Sequence, residues 1–204
     1  MKKSVVDLSD LQEIAPFFKT KFGIFLGKKI IKWLGIKKVN DIHAKHCHLR
    51  GADFTTALLQ DPLMDIKYNV HNAELLDTLP EGAFITISNH PFGHIDGIML
   101  IDIFAARRSD FAVMVNGVLT KIGAMEDNFI SVQPDSKNRG ANVANVNGVR
   151  TSLERLKSGH PMGFFPAGAI SFKKKEKKRV MDLDWTLSVI RLIRKGNVPV
   201  YPVF

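Results

Sequence analysis

The chain has 204 residues, 45% hydrophobic and 24% charged, the balance of a globular domain rather than a disordered chain. Its one cysteine, Cys47, excludes a disulfide scaffold and suits a reducing compartment. The net charge of +9 is uneven: residues 1–40 and residues 172–195 each hold nine bases and three acids, so these two basic segments flank a mildly acidic body. Such a pattern suggests a docking face for an anionic partner: a phospholipid surface, an acidic carrier protein or nucleic acid.

No run reaches the ~20 apolar residues a spanning helix needs. Asp7, Asp10 and Glu13 interrupt the apolar core that a signal peptide would place after Lys2 and Lys3, so a cytoplasmic chain is expected. The first 60 residues read as helical, and Ser9 followed by Gln12 has the form of a capping box. Over residues 17–38, Phe18, Phe22, Phe25, Leu26, Ile30, Trp33 and Leu34 recur at helical spacing among lysines. This is a basic amphipathic pattern. It fits a membrane-interface anchor, or a helix packed on the domain with its lysines in water. Gly23, Gly27 and Gly35 count against one unbroken helix. Residues 1–60 are therefore expected to be a helical, basic membrane-interface segment, and residues 61–204 an α/β domain.

From residue 80 strands and helices alternate. Strands are expected over residues 83–88, 111–115, 129–132, 162–165 and 198–203. Helices are expected over residues 95–107, 142–158 and 184–195. Alternation of this kind specifies an α/β fold with a mostly parallel central sheet flanked by helices. The tract Lys173–Arg179 is the single low-complexity stretch and reads as a solvated charge run. The final apolar strand reads as a central one, so the expectation is a shortened chain or a sheet completed elsewhere.

In open parallel sheets ligands collect beyond the carboxyl ends of the strands. The strand at 83–88 runs into Asn89-His90-Pro91-Phe92-Gly93-His94-Ile95-Asp96-Gly97, and that at 162–165 runs into Pro166-Ala167-Gly168-Ala169-Ile170-Ser171. Both loops should open on one sheet edge. A carboxylate beside a histidine fixes its tautomer and leaves the other ring nitrogen basic, which suits a general base. Pro91 and Gly93 impose the turn that lets Asp96 fold back on His90; alternatively Asp96 caps the helix. Gly168 allows a ligand close to the loop backbone. The sequence contains no Gly-x-Ser-x-Gly, no P-loop and no Gly-x-Gly-x-x-Gly after a strand, so a nucleophile elbow and a nucleotide cofactor lack support. A base without a nucleophile suits direct transfer of an activated acyl group to an acceptor.

The run Ile87-Ser-Asn-His-Pro-Phe-Gly-His-Ile-Asp-Gly97 resembles the first motif of the lysophospholipid and glycerolipid acyltransferases. The likeness is greatest to their hemolysin-related branch, whose members acylate lyso-ornithine or lyso-glycine lipids. Leu76-Asp-Thr-Leu-Pro-Glu-Gly-Ala precedes it. Phe164-Phe-Pro-Ala-Gly-Ala-Ile-Ser171, Met181-Asp-Leu-Asp-Trp185 and Val198-Pro-Val-Tyr-Pro-Val203 resemble later signatures in the expected order. The resemblance covers residues 40–204. It implies that His90 is the base and Asp96 its orienting partner, with Asn89, Phe92, Gly93, Phe165, Pro166, Gly168, Ser171 and Lys173 binding substrate. It also implies an acyl-carrier-protein or acyl-CoA thioester as donor, a membrane lyso-lipid as acceptor, no further cofactor, and peripheral association with the inner, anionic face of a membrane. Two departures stand out. Five residues separate His90 from Asp96, as in the hemolysin-related branch, where the broad family has four. Ala167, Ala169 and Ile170 stand where the broad family has Glu, Thr and Arg, which turns the expectation from a phosphate-bearing acceptor toward an aminoacyl lipid headgroup.

Other constellations carry less. His94-Ile95-Asp96 has the spacing of a non-haem iron site, but those sites belong to an all-β architecture. His43, His46, Cys47 and His48 fit no standard zinc template and read as scattered residues of a surface helix. No metal and no nucleic acid is expected. The competing functions are a non-enzymatic membrane-surface or carrier-binding module of the same fold, and a lipid hydrolase.

Overall fold

The short apolar runs of the second half build a sheet whose strands feed one edge. The computed structural model describes residues 4–33, 35–116, 122–132, 139–174, 178–185 and 187–204. Among these, the strands are β1 (Ile85–Ser88), β2 (Ala112–Asn116), β3 (Phe129–Val132), β4 (Met162–Phe164), β5 (Phe172–Lys174), β6 (Arg179–Met181) and β7 (Val200–Val203). The helices are α1 (Leu8–Ile14), α2 (Lys21–Trp33), α3 (Ile36–His46), α4 (Gly51–Gln60), α5 (His94–Ala105), α6 (Arg139–Lys157) and α7 (Leu187–Gly196). Five strands form one sheet in the order β3-β2-β4-β1-β7, and every pairing in it is parallel. The fold is therefore α/β, with a parallel central sheet flanked by helices. Parallel neighbours require long crossovers, which α5 supplies between β1 and β2, and α6 between β3 and β4.

Neighbouring residues of one strand point to opposite faces, and this divides the core in two. Phe84, Phe111, Val113 and Met125 pack with Phe54 of α4 and with Leu100, Ile101 and Phe104 of α5. Ile85, Ala112, Ile130, Met162 and Phe164 pack on the other face with Leu156 of α6 and Leu192 of α7. Helices cover both faces, as an all-parallel sheet needs. The centre of the sheet is tight: a Cβ on Gly163 would overlap Thr86 Oγ1 and the ring of Phe111.

The structure corrects one sequence reading and adds to three others. The capping box of α1 is formed by Asp7 and Asp10, not Ser9 and Gln12. Asp7 accepts from the Ser9 N–H at 2.9 Å, and Asp10 accepts from the Asp7 N–H at 2.8 Å. Aspartate caps as well as serine does, and the Ser9 hydroxyl is itself bound to Asp7. As the glycines imply, residues 17–38 are not one helix. Pro16–Lys19 is a short 3-10 turn, α2 follows, and Gly35 at φ +69° separates α2 from α3. The charge run at Lys173–Arg179 overlaps two short strands, β5 at its start and β6 at its end, which pair as an antiparallel ribbon with Phe172 facing Met181 and Lys173 facing Val180, while Lys173, Lys178 and Arg179 stay exposed as a solvated run should. Among the described residues the final strand, β7, is the outermost of the sheet and pairs with β1. Its Pro202 lacks the N–H a central strand would use, so an edge position suits it.

The inward side of α2 is its glycine side. Gly23 lies against the Phe17 carbonyl and Gly27 against Leu8 and Phe18, where side chains would collide. Phe22, Phe25 and Trp33 consequently face outward, 65%, 55% and 84% exposed. Among the described residues no helix is long and apolar enough to cross a membrane.

Candidate functional site

The loop after β1 and the first turn of α5 form a closed local unit. Gly93 adopts φ +66° and ψ −127°, a region almost restricted to glycine, and this bend returns the chain so that α5 begins beside β1. Asp96, in the first turn of α5, is buried. Its Oδ2 accepts from His90 Nδ1–H at 3.0 Å and from the Phe92 backbone N–H at 2.9 Å. One carboxylate oxygen thus orients the imidazole and also ties down the turn. Gly93, with no side-chain cap, is the N-cap residue of α5, so Asp96 does not cap that helix.

The second wall follows β4. Met162 and Phe164 stand level with Ile85 and Ile87, so both strands release their chains at the same edge. The ring of Phe165 stacks on that of His90, with centroids 3.9 Å apart and planes 20° apart. The Ser171 N–H donates to the His90 carbonyl at 2.8 Å. Asp182, just beyond β6, accepts from the His90 N–H at 3.4 Å and from the Ser171 hydroxyl. Ile170 abuts Gly93, with its Cδ1 at 3.0 Å from where a Cβ would sit. The loops at 89–97 and 165–171 therefore meet around His90. Gly168 stands at φ +66° with nothing among the described residues within 4 Å of the position a Cβ would take, so its backbone conformation, and no described neighbour, calls for glycine.

Burial holds the His90 imidazole below its ordinary pKa, with His94 adding to this, while Asp96 and Asp182 pull the other way without reversing it. Burial therefore favours the neutral ring. With its Nδ1 hydrogen committed to a carboxylate that can only accept, Nε2 is left with a lone pair. That state is a base.

Beside the pair lies a groove of about 620 Å³, within the range of small-molecule sites. Asn89, Pro91, Asp96 and Phe165 line it next to His90, and its apolar wall includes Leu75, Leu76, Leu79, Met99, Ile103 and Tyr201. Ser88 also lines it, and its buried hydroxyl has no hydrogen-bond partner among the described residues. Tyr68 forms part of the rim. Its hydroxyl donates to Asp102, which also accepts from Thr55 and Thr56 at 3.1 and 2.5 Å. Burial and Asp102 together push the Tyr68 phenol far up from its usual pKa, so it stays a donor.

Of the residues singled out from sequence, Asp96, Asn89, Phe92, Gly93, Phe165 and Ser171 gather around His90; Asn89, Phe92, Asp96 and Phe165 line the groove, while His90, Gly93 and Ser171 stand beside it. Phe92 is 71% exposed at the rim. Pro166 is buried, Gly168 is exposed in the loop and Lys173 is exposed on β5, and none of the three lines the groove. Sequence reasoning missed the roles of Asp182 and Tyr68. Asp182 lies within a quoted motif, but no spacing rule connects it to a residue 92 positions earlier. His94 is exposed while Asp96 is turned to His90, so the two do not converge as an iron pair. The helix α3 lies at the surface, with Lys37, Lys38, Val39, Asp41, Ala44 and Lys45 exposed, but its histidines turn inward. His43 is buried edge-on to Phe54, and His46 Nε2 lies 2.8 Å from the buried Asp61, which also accepts from Lys45 at 2.8 Å.

A family model described as Acyltransferase matches residues 11–204. No curated protein matches the chain.

Proposed function

The chain belongs to the acyltransferase family and is an acyltransferase, and we propose that it moves a fatty acyl group from an acyl-carrier-protein or acyl-CoA thioester to the hydroxyl of a membrane lyso-lipid. The observation that carries this reading is His90, bound through Nδ1 to Asp96 at 3.0 Å beside an apolar groove. In the proposed reaction His90 Nε2 takes the proton of the acceptor hydroxyl as its oxygen attacks the thioester carbon. Asp96 stabilises the imidazolium that forms. The tetrahedral oxyanion collapses, the C–S bond breaks, and the departing thiolate takes the proton back from His90. No covalent enzyme intermediate is needed.

The groove offers the acyl chain an apolar bed, and the orphan Ser88 hydroxyl offers a hydrogen bond to a polar group at its head. The absence of arginine at position 170 favours an aminoacyl headgroup over a phosphate-bearing acceptor. Peripheral membrane binding is supported by α2, whose outward face combines Phe22, Phe25 and Trp33 with Lys21, Lys28, Lys29 and Lys32.

The test is transfer from a radiolabelled acyl thioester to a panel of lyso-lipids. His90→Ala is expected to lower turnover by about 100- to 10,000-fold with the melting temperature retained. A folded His90→Ala protein that turns over normally refutes the base. Free fatty acid released at the same rate without any acceptor refutes the transfer and indicates hydrolysis.

A further inference from the structure

The ribbon β5–β6 is an unusual object to leave in water. It has two strands of three residues each, and so small a hairpin is at best marginal unless something covers it. Its apolar residues are split between its faces. Phe172 pairs with Met181 on one, and Val180 with Lys173 on the other, yet Phe172 and Val180 are 44% and 58% exposed. A ribbon packed on the domain would bury one of these faces. The chain that follows continues the pattern, with Leu183, Trp185 and Leu187 exposed, the last by 70%. Basic charge is interleaved throughout: residues 173–179 hold six bases and one acid, and Lys173, Lys178 and Arg179 are exposed.

We propose that β5, β6 and residues 182–185 form a second membrane-contact surface, selective for anionic phospholipid, at the rim of the His90 site. The composition is that of the bilayer interface, where tryptophan sits at headgroup depth and Lys and Arg meet anionic lipid. A bilayer interface covers both faces of an inserted ribbon at once, whereas an acidic protein laid against it covers one. This distribution of apolar residues therefore selects the membrane over a carrier protein. The base of the ribbon is bound to the site: Ser171 and Asp182, on either side of it, hold the His90 backbone, and Ile170 abuts Gly93. On the reading that the acceptor is a membrane lipid, on which this consequence rests, a lyso-lipid reaches His90 without leaving the interface.

The chain has two tryptophans, Trp33 and Trp185, which makes the test direct. In the full chain carrying Trp33→Phe, Trp185 reports on the ribbon alone; Trp185→Phe reports on α2. With phosphatidylglycerol vesicles carrying brominated acyl chains, Trp185 emission is expected to move to shorter wavelength and to be quenched. Phosphatidylcholine should do this much less. Lys178→Asn with Arg179→Gln, in which asparagine tolerates the positive φ of 51° at position 178, should weaken vesicle binding by about 30-fold, from two charges near an anionic surface. Transfer to a short-chain lyso-lipid dispersed below its micellar concentration should be unchanged in that variant. Trp185 left unquenched on vesicles that quench Trp33 overturns the proposal. So does equal quenching by neutral vesicles, or a shift of Trp185 on an acidic carrier protein but not on vesicles. Equal loss of transfer to dispersed and vesicle-borne acceptors also overturns it, by placing these charges in the substrate site. If no lyso-lipid is acylated at all, the acceptor reading fails, while the quenching result still decides the surface.

Discussion

Asp96→Asn removes one charge from the site and preserves its shape. In the wild type a single oxygen, Oδ2, accepts from both His90 Nδ1–H and the Phe92 N–H. An asparagine that places its carbonyl oxygen there keeps both bonds. The flipped amide would set an N–H against the Phe92 N–H, so the carbonyl orientation wins and the histidine tautomer survives. What is lost is the attraction between a carboxylate and the imidazolium that forms during transfer. At 3.0 Å and an effective dielectric of about 20, that attraction is about 5 kcal/mol. The side chains are 16% and 9% exposed and the charge is incomplete in the transition state, so roughly half of this is felt, about 2–3 kcal/mol. That corresponds to a fall of about 100-fold in kcat/KM, short of the ~10,000-fold that follows when a triad histidine is left in the wrong tautomer. The assay is steady-state transfer from a labelled acyl thioester, with thermal unfolding run alongside to show that the variant is folded. A folded Asp96→Asn protein within about threefold of wild type would refute the electrostatic role of Asp96. A fall of ~10,000-fold would instead mean that the tautomer had been lost.

Because burial depresses the pKa of His90, the acid limb of kcat/KM should have its midpoint below the ordinary imidazole value of about 6.5, and Asp96→Asn should move it lower still, since Asp96 favours the charged ring; a limb above that value contradicts the burial argument. The same depression makes the unfolded chain bind the extra proton first, so the contribution of His90 to stability is complete above about pH 6.5 and is lost as the pH falls through the lower folded value; urea midpoints from pH 7 to 5 should fall less steeply for His90→Gln. Gly93→Ala meets both a forbidden backbone region and Ile170 at 3.0 Å, at a cost of about 1–3 kcal/mol in urea unfolding from strain alone and with clear loss of transfer. Gly168→Ala shares the positive φ but meets nothing within 4 Å, and should cost about 1–2 kcal/mol. Equal losses at the two glycines would show that the contact with Ile170 is immaterial.

The alternation of short apolar runs with longer amphipathic ones is a local property of the chain. It sufficed for the α/β class, the five sheet strands within one or two residues at most ends, and the pairing of His90 with Asp96, whose spacing spans a single turn. The side of α2 that packs inward was not legible in the same way. The hydrophobic pattern selects Phe22, Phe25 and Trp33, yet close approach to the preceding turn is possible only where side chains are missing, so Gly23 and Gly27 face in and the aromatics face out. The ribbon at 172–181 was hidden because a lysine run carries no strand periodicity; cross-strand pairing defines it. The wider surroundings of His90 were hidden for a related reason. Phe165 stacks on it from 75 residues away and Asp182 holds its backbone from 92, and such contacts follow from the parallel register of β1 and β4 and from the path of the chain beyond. Charge, composition and periodicity decide what a segment can become; which side chains share a site is decided only when strands distant in sequence are set level in the sheet.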